Sequence, residues 1–365
     1  MRVAIAHDWL MQFAGSERCV SELLKLFPRA RLLTTLMRPE GLPPELRVAS
    51  PSFLQHVPGA VDHHEWMLPA MPLAWRLRRL PPDLDLVVSS SHACAKAIRT
   101  AEGIPHLCYC HTPMRYAWAF DDERERFPAP LRGAARVGMS AFRRWDRAAA
   151  ANVTLFVANS SAVAGRIDRA YSRSARVVYP PVDTDFYCPA PRERSHFVYV
   201  GRLTGYKRPE VVVRAFAGLP YRLTVVGDGP LRGRLEELAT PNVSFRGAVP
   251  RGDLRELYRT STAMVFPVNE DFGIAMAEAQ ACGTPVIGLA EGGALDIVEP
   301  GRTGWLIERQ GVDEVRAALR RAADEMLDPA YIAERAQRFS AARFRHEIAE
   351  IVTALRNGAD ESDFT

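Results

Sequence analysis

A chain of 365 residues with 47% hydrophobic and 25% charged side chains is long enough to bury two cores, and usual domain lengths favour two domains over one. The net charge of +4 is modest, and the cations are scattered without the arginine and aromatic alternation of a recognition module, which speaks against a nucleic-acid binder. Six cysteines, at 19, 94, 108, 110, 188 and 282, follow neither a zinc pattern nor the density of a secreted disulfide scaffold, so a reducing cytosol is expected.

Met1-Arg-Val-Ala-Ile-Ala-His-Asp8 reads as a first strand and not as a signal peptide, and no apolar run along the chain approaches bilayer length. In the first half, strands are predicted at 2–7, 85–90, 106–110 and 153–158, with helices such as 16–26 and 140–151 between them. Asp8-Trp9-Leu10, Gly15 and Glu17 occupy the first strand-to-helix loop. His63-His64-Glu65 does not have zinc-ligand spacing, because adjacent residues do not face one site, and is read as loop surface. His111 follows the buried run Leu107-Cys-Tyr-Cys110, and Thr112-Pro113 ends the strand there, placing the imidazole at a carboxyl edge. A lone histidine after a buried strand more often serves structure; the proline shifts the balance toward a ligand contact. Arg76-Leu-Arg-Arg-Leu80 and Phe142-Arg-Arg-Trp-Asp-Arg147 mix cations with apolar residues. They suit either solvated helix faces with aromatics in the core or a surface resting on an anionic membrane.

Pro180-Pro181 resists both helix and central strand and marks a linker near 171–182. The second half repeats the alternation, with strands predicted at 174–179, 197–200, 222–226, 243–246, 263–266 and 285–289. Helices follow at 313–326 and 343–355, then a polar tail from Gly358 expected to fray. The expected division is therefore 1–172, 173–342 and a closing segment 343–365.

Two strand-to-helix edges in this half carry chemistry. Gly201-Arg202-Leu-Thr-Gly-Tyr-Lys207-Arg-Pro209 places an arginine fork and a lysine before a helix whose first turn accepts proline. Glu270-Asp-Phe-Gly-Ile-Ala-Met-Ala-Glu278 follows a strand and opens a helix at Gly273, leaving the amides of Gly273, Ile274 and Ala275 for an anionic or polyhydroxy ligand. Either edge alone is more often solvated surface; two of one type in one unit point to a nucleotide diphosphate with a sugar attached. Gly227-Asp-Gly-Pro-Leu-Arg-Gly233 mimics a dinucleotide fingerprint but lies on a later strand than that motif requires. Asp83-Leu-Asp85 and Asp183-Thr-Asp185 have Asp-x-Asp spacing without the strand-end placement of a metal pair, so no metal site is expected.

Taken together, Gly201-Arg202, Lys207, Glu270, Glu278 and Gly283-Thr-Pro-Val-Ile, extended by Asn159-Ser160-Ser161 and Pro180-Pro-Val-Asp183, resemble the retaining GT-B glycosyltransferases of family 4 over most of the chain. Cys110-His-Thr-Pro-Met-Arg-Tyr-Ala-Trp118 looks like the subgroup that builds O-antigen and exopolysaccharide chains, many of whose members use GDP-mannose. The resemblance implies an α/β, GT-B fold of two Rossmann-like domains facing across a deep cleft, with the last helix returning to the first domain and closure about the Pro180 linker. It implies that Arg202 and Lys207 clamp the diphosphate, Glu270 contacts the donor sugar and Glu278 holds the ribose. The loop Phe272, Gly273, Ile274 and Ala275 would offer amides, Arg246 and Val249 would lie beside the base, and His111 would meet the sugar.

Gly15 is preceded by alanine where relatives show a second glycine, which puts the phosphate contact there in question. The expected function is hexosyl transfer with retention, metal-independent and without a cofactor, onto a glycan or lipid-linked saccharide, with GDP-mannose the favoured donor. The location is the cytoplasm, with peripheral contact at the inner face of the plasma membrane. UDP- or dTDP-sugars with a soluble natural product, a sugar-nucleotide 2-epimerase and a nucleotide-binding module without catalysis are the alternatives.

Overall fold

The computed structural model of the chain describes residues 1–120, 132–359 and 361–364. Two compact units emerge: Met1–Pro181 together with Ala342–Thr365, and Val182–Ala341. Each is built on one six-stranded, wholly parallel sheet. Parallel strands require long crossovers, and the helical stretches between the apolar runs supply them.

In the first unit the strands are β1 (Val3–His7), β2 (Arg31–Thr34), β3 (Leu86–Ser91), β4 (His106–Cys110), β5 (Leu155–Ala158) and β6 (Ala175–Val177), in spatial order β2-β1-β3-β4-β5-β6. β1, β3 and β4 are buried along their whole length, as continuous Val, Ile, Leu and Cys runs covered on both faces should be. Cys108 and Cys110 lie fully inside, and none of the six cysteines is in a disulfide. The helix Ala341–Arg356 completes this unit: Phe344, Ile348, Ile351, Val352 and Leu355 form one face at helical spacing and pack with Val3, Ile5, Val20, Leu23 and Tyr109.

The second unit comprises β7 (His196–Val200), β8 (Leu223–Val226), β9 (Val243–Gly247), β10 (Ser261–Phe266), β11 (Val286–Leu289) and β12 (Gly304–Ile307), ordered β12-β11-β10-β7-β8-β9.

Four expectations are corrected. The strand expected at 174–179 as the start of the second domain is β6, which pairs with β5 through Phe156–Ala175 and Ala158–Val177; the units therefore divide at Pro181/Val182 and not at 172/173. β2 and β12, four residues each, were not anticipated. The helix expected from 140 is already formed at Arg132, the first described residue after 120, and Gly133 and Gly138 hide these earlier turns in the sequence. The closing tail, of which residues 360 and 365 lie outside the described residues, contains a short turn at Glu361–Phe364. The Glu361 carboxylate there accepts from Ser174 N at 2.6 Å and Ser174 Oγ at 2.9 Å and pairs with Arg173. A carboxylate with these partners is anchored to the edge of β6.

Candidate functional site

In the second unit the chain leaves β7 toward β8 and β9 on one side and adds β10 on the other, so the order reverses between β7 and β10. Ligands of open parallel sheets sit at the carboxyl ends of two such strands, where the outgoing loops diverge. The two loops here are 201–208, running into the helix Pro209–Ala215, and 267–273, running into the helix Ile274–Ala281.

The loops meet through Lys207 and Glu270, whose Nζ and Oε1 lie 3.0 Å apart with side chains 16% and 18% exposed. Burial works against the ammonium, but Glu270 outweighs it, and the lysine pKa is raised. Nζ also lies 5.5 Å from the centre of the Phe266 ring, and the Lys207 carbonyl accepts from the buried Tyr199 hydroxyl at 3.2 Å. Arg208 takes a left-handed backbone (φ 49°) although it precedes Pro209, which favours an extended conformation, so the loop stores strain next to the lysine. Arg202 is exposed on the same loop.

Glycines bring these loops together. A Cβ on Gly227 would sit 2.1 Å from the Gly201 carbonyl oxygen, and one on Gly229 would sit 2.5 Å from that of Leu203. Gly201 N donates to Val226 O at 3.0 Å and Leu203 N to Asp228 O at 2.9 Å. The fingerprint-like Gly227-to-Gly233 run is thus a packing device beneath the Arg202 loop. On the other side, Gly292 and Gly293 abut the Glu270 loop: a Cβ on Gly293 would lie 2.1 Å from Phe272 O, and Gly293 N donates to Glu270 O at 2.9 Å. Asn269 Nδ2 donates to Glu291 Oε2 at 2.9 Å. Reading from sequence missed Glu291-Gly292-Gly293; its signal was a glycine pair just after a buried strand. Gly273 itself has φ 93°, and a side chain there would collide with Met276.

The remaining expected residues are distributed as follows. Ile274 and Ala275 open their helix half-buried, with amides that have no intrahelical partner by construction. Phe272 is buried, edge to face with Phe339 at 5.4 Å. Glu278 is only 4% exposed and accepts from the Tyr258 hydroxyl at 3.4 Å, so it lies in the interior of the unit and not on its surface. Arg246, exposed, and Val249, half-buried, belong to β9 and its exit, two strands away from β7. Gly15 and His111 are in the first unit.

That unit has its own reversal, between β1 and β3. Gly15 opens the helix Gly15–Leu26 behind Ala14 as N-cap, and Glu17 reaches back to Ala14 N at 3.1 Å. Glu17 also lies 3.5 Å from Nε2 of His7, which is fully buried and meets Ser90 Oγ at 3.1 Å through Nδ1. His111 Nε2 shares that hydroxyl at 2.8 Å, and Asn159 donates to the His111 carbonyl at 3.0 Å. Burial, reinforced by His92 and His7, pushes the His111 pKa down to about 3 and keeps the ring neutral. Behind the edge, a buried ion pair joins Lys96 Nζ to Asp146 Oδ1 at 2.6 Å. Trp118 Nε1 and the Tyr171 hydroxyl donate to Asp146 Oδ2 at 2.8 and 2.7 Å.

The Asp-x-Asp pairs are occupied by protein partners: Asp85 accepts from Arg2 N at 2.7 Å and Asp183 pairs with Arg251 at 2.9 Å. Among the described residues no three His, Cys, Asp or Glu side chains converge as metal ligands, and His63 stacks on Trp66 at 5.0 Å.

Comparison with known proteins adds independent findings. Residues 13–186 match the profile of the family described as Glycosyltransferase Family 4, and residues 188–339 match that of Glycosyl transferases group 1. Among curated relatives, D-inositol 3-phosphate glycosyltransferase of Mycobacterium marinum is 32% identical over 176 residues, which are 42% of this chain and 38% of that protein. Its namesake in Kribbella flavida is 29% identical over 256 residues, 60% of this chain and 57% of that protein. The matches thus span less than two thirds of those relatives. Among solved structures, sucrose-phosphate synthase of Thermosynechococcus elongatus aligns with a TM-score of 0.75 at 20% identity, covering 98% of this chain and 100% of that one. Anabaena HepE, solved with UDP and glucose, aligns with a TM-score of 0.70 at 19% identity, covering 96% and 99%. At these identities the likeness concerns the fold.

Proposed function

From the premise that this chain has the two-domain fold of the group 1, family 4 glycosyltransferases, we propose that it is a hexosyltransferase that takes a sugar from a nucleoside diphosphate with retention. The observation that carries the reading is the Lys207–Glu270 pair at 3.0 Å, at the reversal between β7 and β10, beside a glycine-opened helix end. A free lysine would suit any anion. A lysine matched by a carboxylate suits a ligand that brings both a diphosphate to replace Glu270 at the ammonium and sugar hydroxyls for Glu270 to accept.

Breaking the bond between the anomeric carbon and the diphosphate puts negative charge on the leaving oxygens and positive charge on the sugar. Lys207, with exposed Arg202 on the same loop, stabilises the first; the amides of Ile274 and Ala275 add fixed dipoles. Glu270 orients the sugar and stabilises the second. The His111 ring, held neutral, contributes a hydrogen bond to a sugar hydroxyl and not a proton. The acceptor hydroxyl attacks from the face the diphosphate leaves, and a departing phosphate oxygen takes its proton. Charge stabilisation by these side chains replaces a metal ion in this scheme.

GDP-mannose is the donor that the Cys110-to-Trp118 motif favours. A second reading, a UDP-sugar, draws support from the solved relatives bound to UDP and UDP-glucose. Glu278, 4% exposed and hydrogen-bonded by the Tyr258 hydroxyl, holds the helix that presents the Ile274 and Ala275 amides. The acceptor is a glycan or lipid-linked saccharide. Leu73 and Leu77, 50% and 61% exposed, stand with Arg76 and Arg79 on the first unit and supply the chemistry for contact with an anionic bilayer. No helix among the described residues is long and apolar enough to cross one.

The test is turnover of GDP-mannose and UDP-glucose followed by proton NMR at the anomeric centre, with and without EDTA. Retained configuration, insensitivity to EDTA and a loss of at least 100-fold in Lys207→Ala support the reading. Inversion, or EDTA-sensitive turnover, contradicts it.

A further inference from the structure

The reversal between β1 and β3 in the first unit holds side chains that the donor reading leaves unused. Asp8, just beyond β1, is fully buried, and its carboxylate accepts four backbone amides: His92 at 2.7 Å, Ala93 at 2.8 Å, and Cys94 and Ala95 at 2.6 Å each. This fourfold clamp pins the loop after β3 to the end of β1, which fixes where His92 stands. Its Nδ1 is buried 3.4 Å from Asp8 Oδ2 without the alignment of a hydrogen bond, yet 24% of the side chain is exposed. The exposed part is therefore the opposite edge of the ring, which carries Nε2.

Aromatic surface surrounds it. Trp9 packs edge-on against His92 at 4.5 Å and reaches His64 at 5.3 Å, while His7 and His111 lie 5.9 and 6.2 Å from His92. The charges of this edge are already matched: Asp8 by amides, Glu17 by His7 and Lys96 by Asp146. Burial outweighs the attraction of Asp8 and lowers the His92 pKa, which favours the neutral ring. An indole and a neutral imidazole are the partners of a sugar ring and its hydroxyls, whereas a phosphate monoester calls for cations.

We infer that His92 is an acceptor-binding residue, its Nε2 accepting a hydrogen bond from a hydroxyl of an uncharged saccharide that rests against Trp9. The assignment rests on the glycosyltransferase reading for its role in the reaction but not for the binding itself, and the experiment separates the two. Saturation-transfer NMR with the methyl α-glycosides of mannose, glucose and galactose, and with inositol 3-phosphate, measures binding to the full chain. Donor hydrolysis and transfer to whichever glycoside binds are then followed in the same preparations, for the wild type, His92→Ala and His92→Gln.

The expected result is binding of at least one neutral glycoside that weakens 10-fold or more in His92→Ala and recovers in part in His92→Gln, whose amide keeps an acceptor near Nε2. The acceptor KM rises more than the donor KM, and the fall in transfer exceeds any fall in acceptor-independent hydrolysis. Unchanged glycoside binding in His92→Ala, failure of every glycoside to bind the wild type, or a preference for inositol 3-phosphate overturns the assignment. So does a fall in hydrolysis that parallels the fall in transfer. His92-dependent glycoside binding without turnover of any donor leaves the assignment standing and removes the transferase reading.

Discussion

Lys207 and Glu270 neutralise each other at 3.0 Å, and this pairing accounts for why neither is fully solvated despite standing at a sheet edge. Both residues were legible in the sequence, because a cation in a glycine-containing loop and a carboxylate just past a buried strand each mark a strand end. Their mutual contact was not, since it depends on which strands lie side by side. Glu278 shows the complementary limit: the resemblance implies a ribose contact, but the Ala and Met neighbours that make the helix pack also carry Glu278 inward, to 4% exposure. The histidines make a prediction at this scale. His106 is fully buried with its Nε2 2.8 Å from Ser89 Oγ, and burial pushes its pKa down to about 4 from 6.5; His111 goes down to about 3. Because the unfolded chain binds these protons first, the stability that His106 and His111 contribute is complete above about pH 6.5 and declines as pH falls from there toward 4, by about 1.4 kcal/mol per unit for each group. Urea denaturation at pH 7.5, 6 and 5 should show that loss, with a shallower slope in His106→Gln. Equal midpoints across the three pH values would disprove it.

At the scale of elements, the loops that carry the site are positioned by glycines in neighbouring loops. Gly293→Ala would drive a methyl group into Phe272 O, 2.1 Å away, and displace the Glu270 loop. The expected cost is about 1–3 kcal/mol of stability, with nucleotide affinity falling further than Tm alone would explain. Differential scanning fluorimetry and titration calorimetry on the same sample read both, and an unaltered affinity would remove Gly293 from the support of the site. Most strands could be placed from their Val and Ile runs. β6 could not be assigned to its sheet, because three half-buried residues before a proline pair look the same on either side of a boundary; hydrogen bonding to β5 decides it. The Gly227-to-Gly233 run mimics a dinucleotide fingerprint for a related reason. Close backbone approach demands glycine whether the other partner is a pyrophosphate or, as here, the Gly201 and Leu203 carbonyls.

For the whole molecule, the two units are separated in sequence at Pro181/Val182, and the helix Ala341–Arg356 belongs to the first despite following the second. Its buried face contributes apolar area that residues 1–181 cannot replace. Ile348→Ala, at a fully buried position, should cost about 2–5 kcal/mol and lower the midpoint of the first unit. A chemical-denaturation curve unchanged from wild type would mean the helix is not part of that core. The exposed leucines bear on location: Leu73→Glu with Leu77→Glu should reduce co-sedimentation with phosphatidylglycerol vesicles several-fold while leaving nucleotide binding intact. Equal sedimentation would discard the peripheral membrane contact.

The proposed function stands on diphosphate binding at the Lys207–Glu270 edge. It is tested most directly by a thermal-shift panel of GDP, UDP, ADP, dTDP, their hexose conjugates and NADP, with and without EDTA, on wild type and Lys207→Ala. Ligand that binds only the folded chain raises Tm by mass action. The expected result is stabilisation by one nucleoside diphosphate and its hexose conjugate, indifferent to EDTA and abolished in Lys207→Ala. Stabilisation by NADP alone, or a diphosphate shift that survives Lys207→Ala unchanged, would contradict it.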